Sequence, residues 1–249
     1  MGKDKNNITQ ITAKSALVAL NSMVKNSNPE RFFKTASGQY GEGDIFLGVS
    51  VPQTRSVAQQ HQSLGLLELQ KLFDSPYHEA RLCAVIILNL QFNLSKNPED
   101  RKKIFNFYIK QVRAERINNW DIVDISAPTM GLYLIEAKDP MPLLIKLATS
   151  KSIWQRRVSI MLTFAFIRSG ILNPTITIAT LLLNDQEDLL HKAVGWMLRE
   201  VGKKDIALLR KFLRDNADQM PRTMLRYSIE KLPEIERNKL LYDSKKRPR

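Results

Sequence analysis

Apolar residues recur at helical spacing in one segment after another from residue 52 to residue 232. Short connections that carry proline or glycine separate these segments, and no stretch alternates apolar and polar residues as a half-buried strand does. The predicted helices span residues 52–62, 64–74, 77–94, 98–113, 120–135, 140–149, 152–169, 174–184, 188–203, 205–217 and 220–232. We also predict helices over residues 8–26 and from Pro29 to about Ala36, and a loop over residues 37–50. The chain is therefore predicted to be all-α.

Four of these helices resemble one another when they are aligned on one apolar position. They are HEARLCAVIILNL from His78, WQRRVSIMLTFAFI from Trp154, LHKAVGWMLREV from Leu190 and PRTMLRYSIEKL from Pro221. Together with the helix that carries Val123, they indicate a period of roughly 31 to 41 residues with two helices per unit. This period is typical of a HEAT-like repeat α-solenoid, whose stacked helix pairs form a concave surface. We predict one such domain over residues 1–240 and a disordered basic tail over residues 241–249.

The chain carries an excess of basic residues, with 38 Lys and Arg against 25 Asp and Glu. A formal net charge of +13 favours a polyanionic partner, such as nucleic acid or an anionic membrane surface. No apolar run is long enough to cross a bilayer and no secretory signal is recognisable, so we expect a soluble, cytoplasmic protein. The single Cys83 and three separated histidines exclude a disulfide framework and a structural zinc site.

One short stretch, RINNWDIVD at residues 116–124, places a tryptophan and two carboxylates close together. A helix that begins at Trp120 brings this ring and the Asp124 carboxylate onto one face, because residues four apart are neighbours on a helix. Asp121 then lies in the first turn, where its charge suits the helix dipole. The residues alone leave two interpretations open, which are helix-stabilising carboxylates beside a core tryptophan, or a site of chemistry.

The other two tryptophans are predicted to lie in different environments. Trp154 shares the apolar stripe of its helix, so we predict that it is buried in the core. Trp196 lies opposite the apolar side of its helix, among Lys192, Arg199 and Lys203. An exposed ring on a basic face suits stacking beside a phosphate track, and packing against a neighbouring repeat is an equally good interpretation.

Four motifs together resemble the bacterial AlkD-type DNA alkylation repair glycosylases, which are HEAT-like solenoids. The motifs are FLGVSVPQTR at residues 46–55, RINNWDIVD at 116–124, SIWQRRVSIMLTFAFIRSG at 152–170 and LHKAVGWMLREVGK at 190–203. The resemblance covers the chain from about Phe32 to Arg237. It implies an all-α solenoid that binds double-stranded DNA on a concave basic face, needs no cofactor or metal, and excises a damaged base without flipping it.

The resemblance also assigns roles to individual residues. Three residues are implied to act at the reacting sugar, namely Asp124 as the catalytic carboxylate and Trp120 and Trp196 as the sugar-contacting rings. A second set is implied or predicted to contact the DNA, namely Arg157 as the phosphate-gripping arginine, the basic-face residues Lys192, Arg199 and Lys203, and Tyr40, one residue from the position of the family's early tyrosine.

The reaction that this family catalyses requires few catalytic groups. Alkylation at N3 or N7 makes a purine cationic, so its glycosidic bond can break to a neutral base without a general acid. A carboxylate about 4 Å from the developing sugar cation is worth up to roughly 4 kcal/mol at an effective dielectric constant of about 20. We therefore predict a monomeric, monofunctional alkylpurine DNA glycosylase. The alternatives are a noncatalytic solenoid that binds distorted or branched DNA, and a protein-binding scaffold.

Overall fold

The computed structural model describes residues 11–24 and 33–243, which form helices joined by turns and one longer loop. The helices are α1 (Ala13–Asn21), α2 (Val51–Gln60), α3 (Leu66–Phe73), α4 (His78–Leu94), α5 (Pro98–Arg113), α6 (Trp120–Ile135), α7 (Met141–Ala148), α8 (Ile153–Arg168), α9 (Asn173–Leu181), α10 (Asp188–Lys204), α11 (Ile206–Asn216), α12 (Arg222–Ser228) and α13 (Glu234–Asp243). In these two ranges there is no β-strand, and one isolated bridge joins Ile45 to Tyr77. The predicted all-α class is confirmed.

Every helix predicted from residue 52 to residue 232 is present, and α5 and α6 have the predicted bounds. The start of α5 follows from its capping: the Asn97 side chain accepts a hydrogen bond from the backbone N–H of Glu99 at 2.9 Å, and Pro98 takes the first helical position. The predicted loop over residues 37–50 is also confirmed, because these residues form turns and irregular chain.

The other helices between residues 52 and 232 differ from their predicted bounds by one to four residues at an end, and outside this range three expectations differ from the structure. Helix α1 begins only at Ala13, because Thr12 and Ser15 form a capping box there. The helix predicted from Pro29 lies partly outside the described residues, and its described part, residues 33–36, is not helical. Helix α13 was not predicted, and it continues to Asp243, inside the stretch expected to be a disordered tail. Residues 244–249 of that tail lie outside the described ranges.

The chain divides into two compact units, Met1–Ile122 and Val123–Arg249, and α6 contains the boundary between them. In the first unit α4 is the central helix, since it packs against α1, α2, α3 and α5. In the second unit α10 packs against α8, α9, α11 and α12, and α8 packs against α7. The prediction of a single domain over residues 1–240 stays a prediction.

Glycines allow two pairs of helices in the second unit to approach closely. A Cβ atom on Gly131 of α6 would lie 2.2 Å from the carbonyl oxygen of Leu162 in α8. A Cβ atom on Gly195 of α10 would lie 2.5 Å from the carbonyl oxygen of Met224 in α12. Because protein interiors are close-packed, a larger residue at either position would push the two helices apart. The part of α6 in this unit is therefore held directly against α8.

Buried residues match the apolar pattern of the helices. Trp154 of α8 is 5% exposed, which confirms the predicted core position. Cys83 is buried in α4, and burial raises the pKa of its thiol to about 12, so the thiol is unreactive at neutral pH. Within the part of the chain that the structure describes, no helix has both the length and the apolar character that a membrane crossing requires.

Candidate functional site

The loop of residues 44–50 is held against the amino end of α4. The buried Glu79 carboxylate accepts hydrogen bonds from three successive backbone N–H groups, those of residues 47–49, at 2.9, 2.8 and 3.2 Å. Gly48 in this run has a φ of +81°, a left-handed conformation that glycine adopts without strain. The carboxylate therefore fixes the backbone of the loop that carries Asp44.

Asp44 accepts hydrogen bonds from α4 and from the residues that precede α6. Arg81 donates to its Oδ1 at 2.5 Å, and the side-chain amides of Asn118 and Asn119 donate to its two oxygens at 3.1 Å each. Burial by itself would raise the pKa of Asp44, but the interaction with His78, the charge of Arg81 and the Asn119 hydrogen bond outweigh it and lower the pKa. This carboxylate is therefore ionised at neutral pH.

His78, the first residue of α4, lies between Asp44 and the first turn of α6. Its Nε2 is 2.9 Å from Asp121 Oδ2, and its Nδ1 is 3.6 Å from Asp44 Oδ2. Burial by itself would lower the pKa of His78, but the hydrogen bond to Asp121 and the two carboxylate charges raise it to about 9. At neutral pH His78 is therefore an imidazolium. The interpretation of Asp121 as a helix-start residue was incomplete, because this carboxylate is also the main partner of His78.

Trp120 begins α6 at the end of a row of aromatic rings. Its ring centroid lies 5.6 Å from that of Phe33 at an interplanar angle of 25°, and Phe33 lies 4.8 Å from Phe46 at 20°. The His78 ring is 5.0 and 4.7 Å from the two phenyl rings. The backbone N–H of Trp120 donates to Asn119 Oδ1 at 2.8 Å. Trp120 is therefore half-buried, stacked on Phe33 and anchored through its backbone.

Two residues of this aromatic row were not predicted from the sequence to belong to the site. Phe33 and Phe46 come from separate segments, and only the FLGVSVPQTR motif, which begins at Phe46, pointed to either of them. Tyr40 is half-buried and lies in a turn that precedes the loop of residues 44–50. Its predicted contact with DNA stays a prediction.

In the second unit, Arg157 of α8 holds the carboxylate of Asp124. Nε lies 3.0 Å from Oδ1, and Nη2 lies 2.7 Å from Oδ2. Nη1 of the same guanidinium donates to the carbonyl oxygen of Leu189, in the first turn of α10. The Arg157 side chain is 5% exposed and that of Asp124 is 17% exposed. Three donors of Arg157 are thus directed into the protein, and its predicted contact with a phosphate would require this pair to open.

Trp196 of α10 is half-buried, which agrees with the second interpretation of this ring, packing against a neighbouring helix. Its ring centroid lies 5.9 Å from that of Phe164 in α8, because α8 and α10 are packed neighbours. Its Nε1 donates to Glu200 Oε1 at 3.2 Å. The indole therefore has a fixed orientation between a neighbouring ring and a carboxylate. The predicted role of Trp196 at the reacting sugar stays a prediction.

The basic residues expected to form a phosphate track are paired with carboxylates in the structure. Arg199 and Lys203 both contact Glu200, at 3.4 and 2.8 Å, and Arg199 also contacts Glu230. Lys192 contacts a carboxylate one turn away on its own helix at 2.7 Å. In the Lys192 pair the lysine and its carboxylate are 42% and 54% exposed, and such an exposed pair contributes only about 0 to 1 kcal/mol. Lys192 can therefore exchange its partner for a phosphate at little cost.

The sequence profile of the DNA alkylation repair enzyme family matches residues 13–232. The chain belongs to this family. A solved structure described as "Predicted DNA alkylation repair enzyme from Enterococcus faecalis" is similar to this family member, with a TM-score of 0.61 and 14% sequence identity over 85% of this chain and 99% of that chain. At this identity the likeness shows the fold, and it confirms the predicted helical-repeat architecture. No match was found among curated protein sequences.

Proposed function

We propose that this DNA alkylation repair family member is a monofunctional glycosylase that hydrolyses the N-glycosidic bond of cationic N3- and N7-alkylated purines in double-stranded DNA. The observation that carries the proposal is the partly exposed Asp124 carboxylate, which a buried arginine holds in one orientation. Asp124 also lies one helical turn after Trp120 in α6. A carboxylate in a fixed orientation stabilises a developing sugar cation.

Asp124 would act through its negative charge. When a cationic purine departs as a neutral base, the sugar becomes oxocarbenium-like, and a carboxylate about 4 Å away stabilises it by up to roughly 4 kcal/mol. The opposite charge of Arg157 offsets part of this attraction. Bidentate pairing nevertheless keeps both carboxylate oxygens oriented, so that one can face the sugar while it also orders the attacking water. In this proposal Arg157 is a positioning residue for Asp124.

Trp120 and Trp196 would supply a second favourable interaction. The face of an indole ring attracts a cation by roughly 0.5 to 2 kcal/mol, and either the cationic base or the cationic sugar benefits. A neutral damaged base gains little from the rings before the bond breaks. We infer that the enzyme selects positively charged lesions and excises them without extruding the base into a deep pocket.

Release of free base from defined duplexes tests this function. The wild-type protein should release N7-methylguanine from a duplex that contains a single such lesion, and it should leave the abasic strand uncut until alkali is added. A matched duplex with the neutral lesion 8-oxoguanine should release nothing. If no base appears from N7-methylguanine or N3-methyladenine duplexes under single-turnover conditions, the glycosylase proposal is wrong.

A noncatalytic DNA-binding function is favoured by one observation, which is that the charge of Asp124 is matched by that of Arg157. Such a pair could serve only to join α6 to α8. In that case Asp124→Asn would bind distorted or branched duplex as the wild type does, and neither protein would release a base. Measuring affinity and base release in the same variant therefore separates the two functions.

A further inference from the structure

Four charged side chains are buried together at the start of α6 in the first unit. Asp44 and Asp121 are 5% and 8% exposed, Arg81 is 7% exposed and His78 is 2% exposed. Arg81 balances one of the two carboxylates. A buried carboxylate without a compensating charge is strongly unfavourable, so the second carboxylate requires a cation. His78, which contacts Asp121 at 2.9 Å, is placed to supply it.

Among the described residues, the nearest carboxylates and aromatic rings favour the charged form of His78. The loop contributes Asp44, α6 contributes Asp121, and the ring centroids of Phe33 and Phe46 lie 5.0 and 4.7 Å from that of the imidazole. On its own helix, the Arg81 charge is directed to Asp44, and the Glu79 carboxylate is occupied by the loop N–H groups. The imidazolium is thus enclosed by two carboxylates and two aromatic rings, each of which attracts a cation.

We call Asp44, His78, Arg81 and Asp121 the charge cluster. One sequence neighbour of Trp120, Asn119, is hydrogen-bonded to this cluster, and the other, Asp121, belongs to it. Asn119 donates to Asp44 and accepts the backbone N–H of Trp120. Asp121 accepts from His78 and, through its other oxygen, from the backbone N–H of Ile122 at 2.8 Å. The first turn of α6 therefore has its position set by the cluster on both sides of the indole.

We propose that His78, as a buried cation between Asp44 and Asp121, is a positioning residue that fixes the orientation of Trp120. Loss of this charge would leave the buried Asp121 carboxylate without a compensating cation, and the first turn of α6 would move. A displacement of 1 Å at a reacting group can lower a rate by about 100-fold. The effect on excision rests on the proposed function, but the effect on Trp120 does not.

Fluorine NMR of protein labelled with 5-fluorotryptophan tests the inference without any substrate. The three signals, from Trp120, Trp154 and Trp196, are assigned by single Trp→Phe variants. In the wild type, the Trp120 signal should titrate with a midpoint near pH 9, the pKa of His78, while the core Trp154 signal stays fixed. In His78→Gln at pH 7, the Trp120 signal should move toward its high-pH position, and its H₂O/D₂O isotope shift should increase as the ring becomes more exposed.

Two further variants make the result interpretable. His78→Gln/Asp121→Asn removes one charge of each sign and leaves the pair of Arg81 and Asp44 intact, so it should fold and return the Trp120 signal toward the wild-type position at pH 7. The control is His61→Gln, because His61 is also buried but binds the Val57 carbonyl and the Ser15 hydroxyl instead of carboxylates. This control should leave the Trp120 signal unchanged.

The proposal is overturned if folded His78→Gln keeps the wild-type Trp120 signal, or if that signal does not titrate in the wild type. Excision of N7-methylguanine by His78→Gln at pH 7 should be about 10- to 100-fold slower, with unchanged affinity for undamaged duplex. If the wild type excises nothing, the proposed function fails, and the fluorine titration still decides whether His78 positions Trp120.

Discussion

Arg157 binds both oxygens of Asp124, with Nε 3.0 Å from one and Nη2 2.7 Å from the other. The guanidinium end of this pair is buried, while the carboxylate end is partly exposed. The orientation of the candidate catalytic group is therefore set by a residue that cannot itself reach a substrate without leaving it. Substituting one partner and comparing the variant with a matched control pair separates the loss of stability from the loss of base excision.

Asp124→Asn should lower the single-turnover rate of N7-methylguanine release by about 100-fold. This corresponds to about 2.7 kcal/mol, which is less than the upper limit for an isolated carboxylate because Arg157 offsets part of the charge. The variant should also lose up to about 3 kcal/mol of unfolding free energy, since a buried guanidinium is left without its counter-charge. Rates are compared at a temperature where urea denaturation shows both proteins to be folded.

The matched control for this variant is Asp185→Asn. Asp185 pairs with Arg156 at 2.6 Å in the same unit, and the two side chains are 6% and 17% exposed. This substitution should destabilise the protein to a similar extent and leave the excision rate of the folded protein unchanged. Equal losses of activity in Asp124→Asn and Asp185→Asn would show that stability, and not catalytic charge, explains the result.

Arg157→Ala should leave the salt dependence of DNA binding unchanged. The logarithm of affinity falls with the logarithm of salt concentration by about 0.9 per phosphate neutralised, and Arg157 is occupied by Asp124 and Leu189. Lys192→Ala should flatten the slope by about 0.9, because its ammonium is exposed. Fluorescence-anisotropy titrations at several salt concentrations measure both slopes. A flatter slope for Arg157→Ala would show that the arginine leaves Asp124 to bind DNA.

Two tryptophans of the second unit should respond differently to truncation. Trp154→Ala removes a buried ring and should cost about 3 to 5 kcal/mol of unfolding free energy in urea titrations. Trp196→Ala should cost less, about 1 to 2 kcal/mol, because a half-buried ring loses its contact with Phe164 and its hydrogen bond to Glu200. It should slow base release by about 2- to 30-fold through loss of the cation–indole interaction. A full rate in Trp196→Ala would remove this residue from the site.

His78 should make stability depend on pH above neutrality. Its pKa is raised from 6.5 to about 9, so its contribution is fully present below about pH 6.5 and is lost as the pH rises through about 9. The thermal denaturation midpoint of the wild type should therefore fall between pH 6.5 and pH 9. The charge-balanced His78→Gln/Asp121→Asn variant should fall less over this interval. If both proteins lose the same amount, other groups control the effect.

Most of the helices could be predicted because nearby capping residues and apolar spacing mark where each helix begins and ends. Asn97 and Pro98 mark the start of α5, and the apolar period of α8 places Trp154 in the core. Helix α13 also had a local signal, since Pro233 is followed by two glutamates in the first turn, but its apolar face is short. The expected helix from Pro29 failed beyond Phe33, where the chain turns instead.

The charge cluster could not be predicted, because it joins residues that are far apart in the chain. Helical periodicity shows which face a residue occupies, but not that Asp44 of a loop meets His78 and Asp121. A partial signal was present, since polar residues at positions 78, 79 and 81 begin a helix that is otherwise apolar on nearly every side. The same limit explains Trp196, whose helix face was assigned correctly but whose neighbour Phe164 lies on another helix.

Arg157 connects three helices, because it belongs to α8 and binds Asp124 in α6 and the Leu189 carbonyl in α10. Gly131 brings α6 and α8 into direct backbone contact beside this connection. A lysine has one compact ammonium and cannot replace a planar guanidinium that meets acceptors on two helices. Under the proposed function, a redesign for bulkier lesions therefore has little freedom where α6 meets α8. The contact of Phe164 with Trp196 is the place where such a redesign could remove volume while Arg157 keeps the Asp124 carboxylate in place.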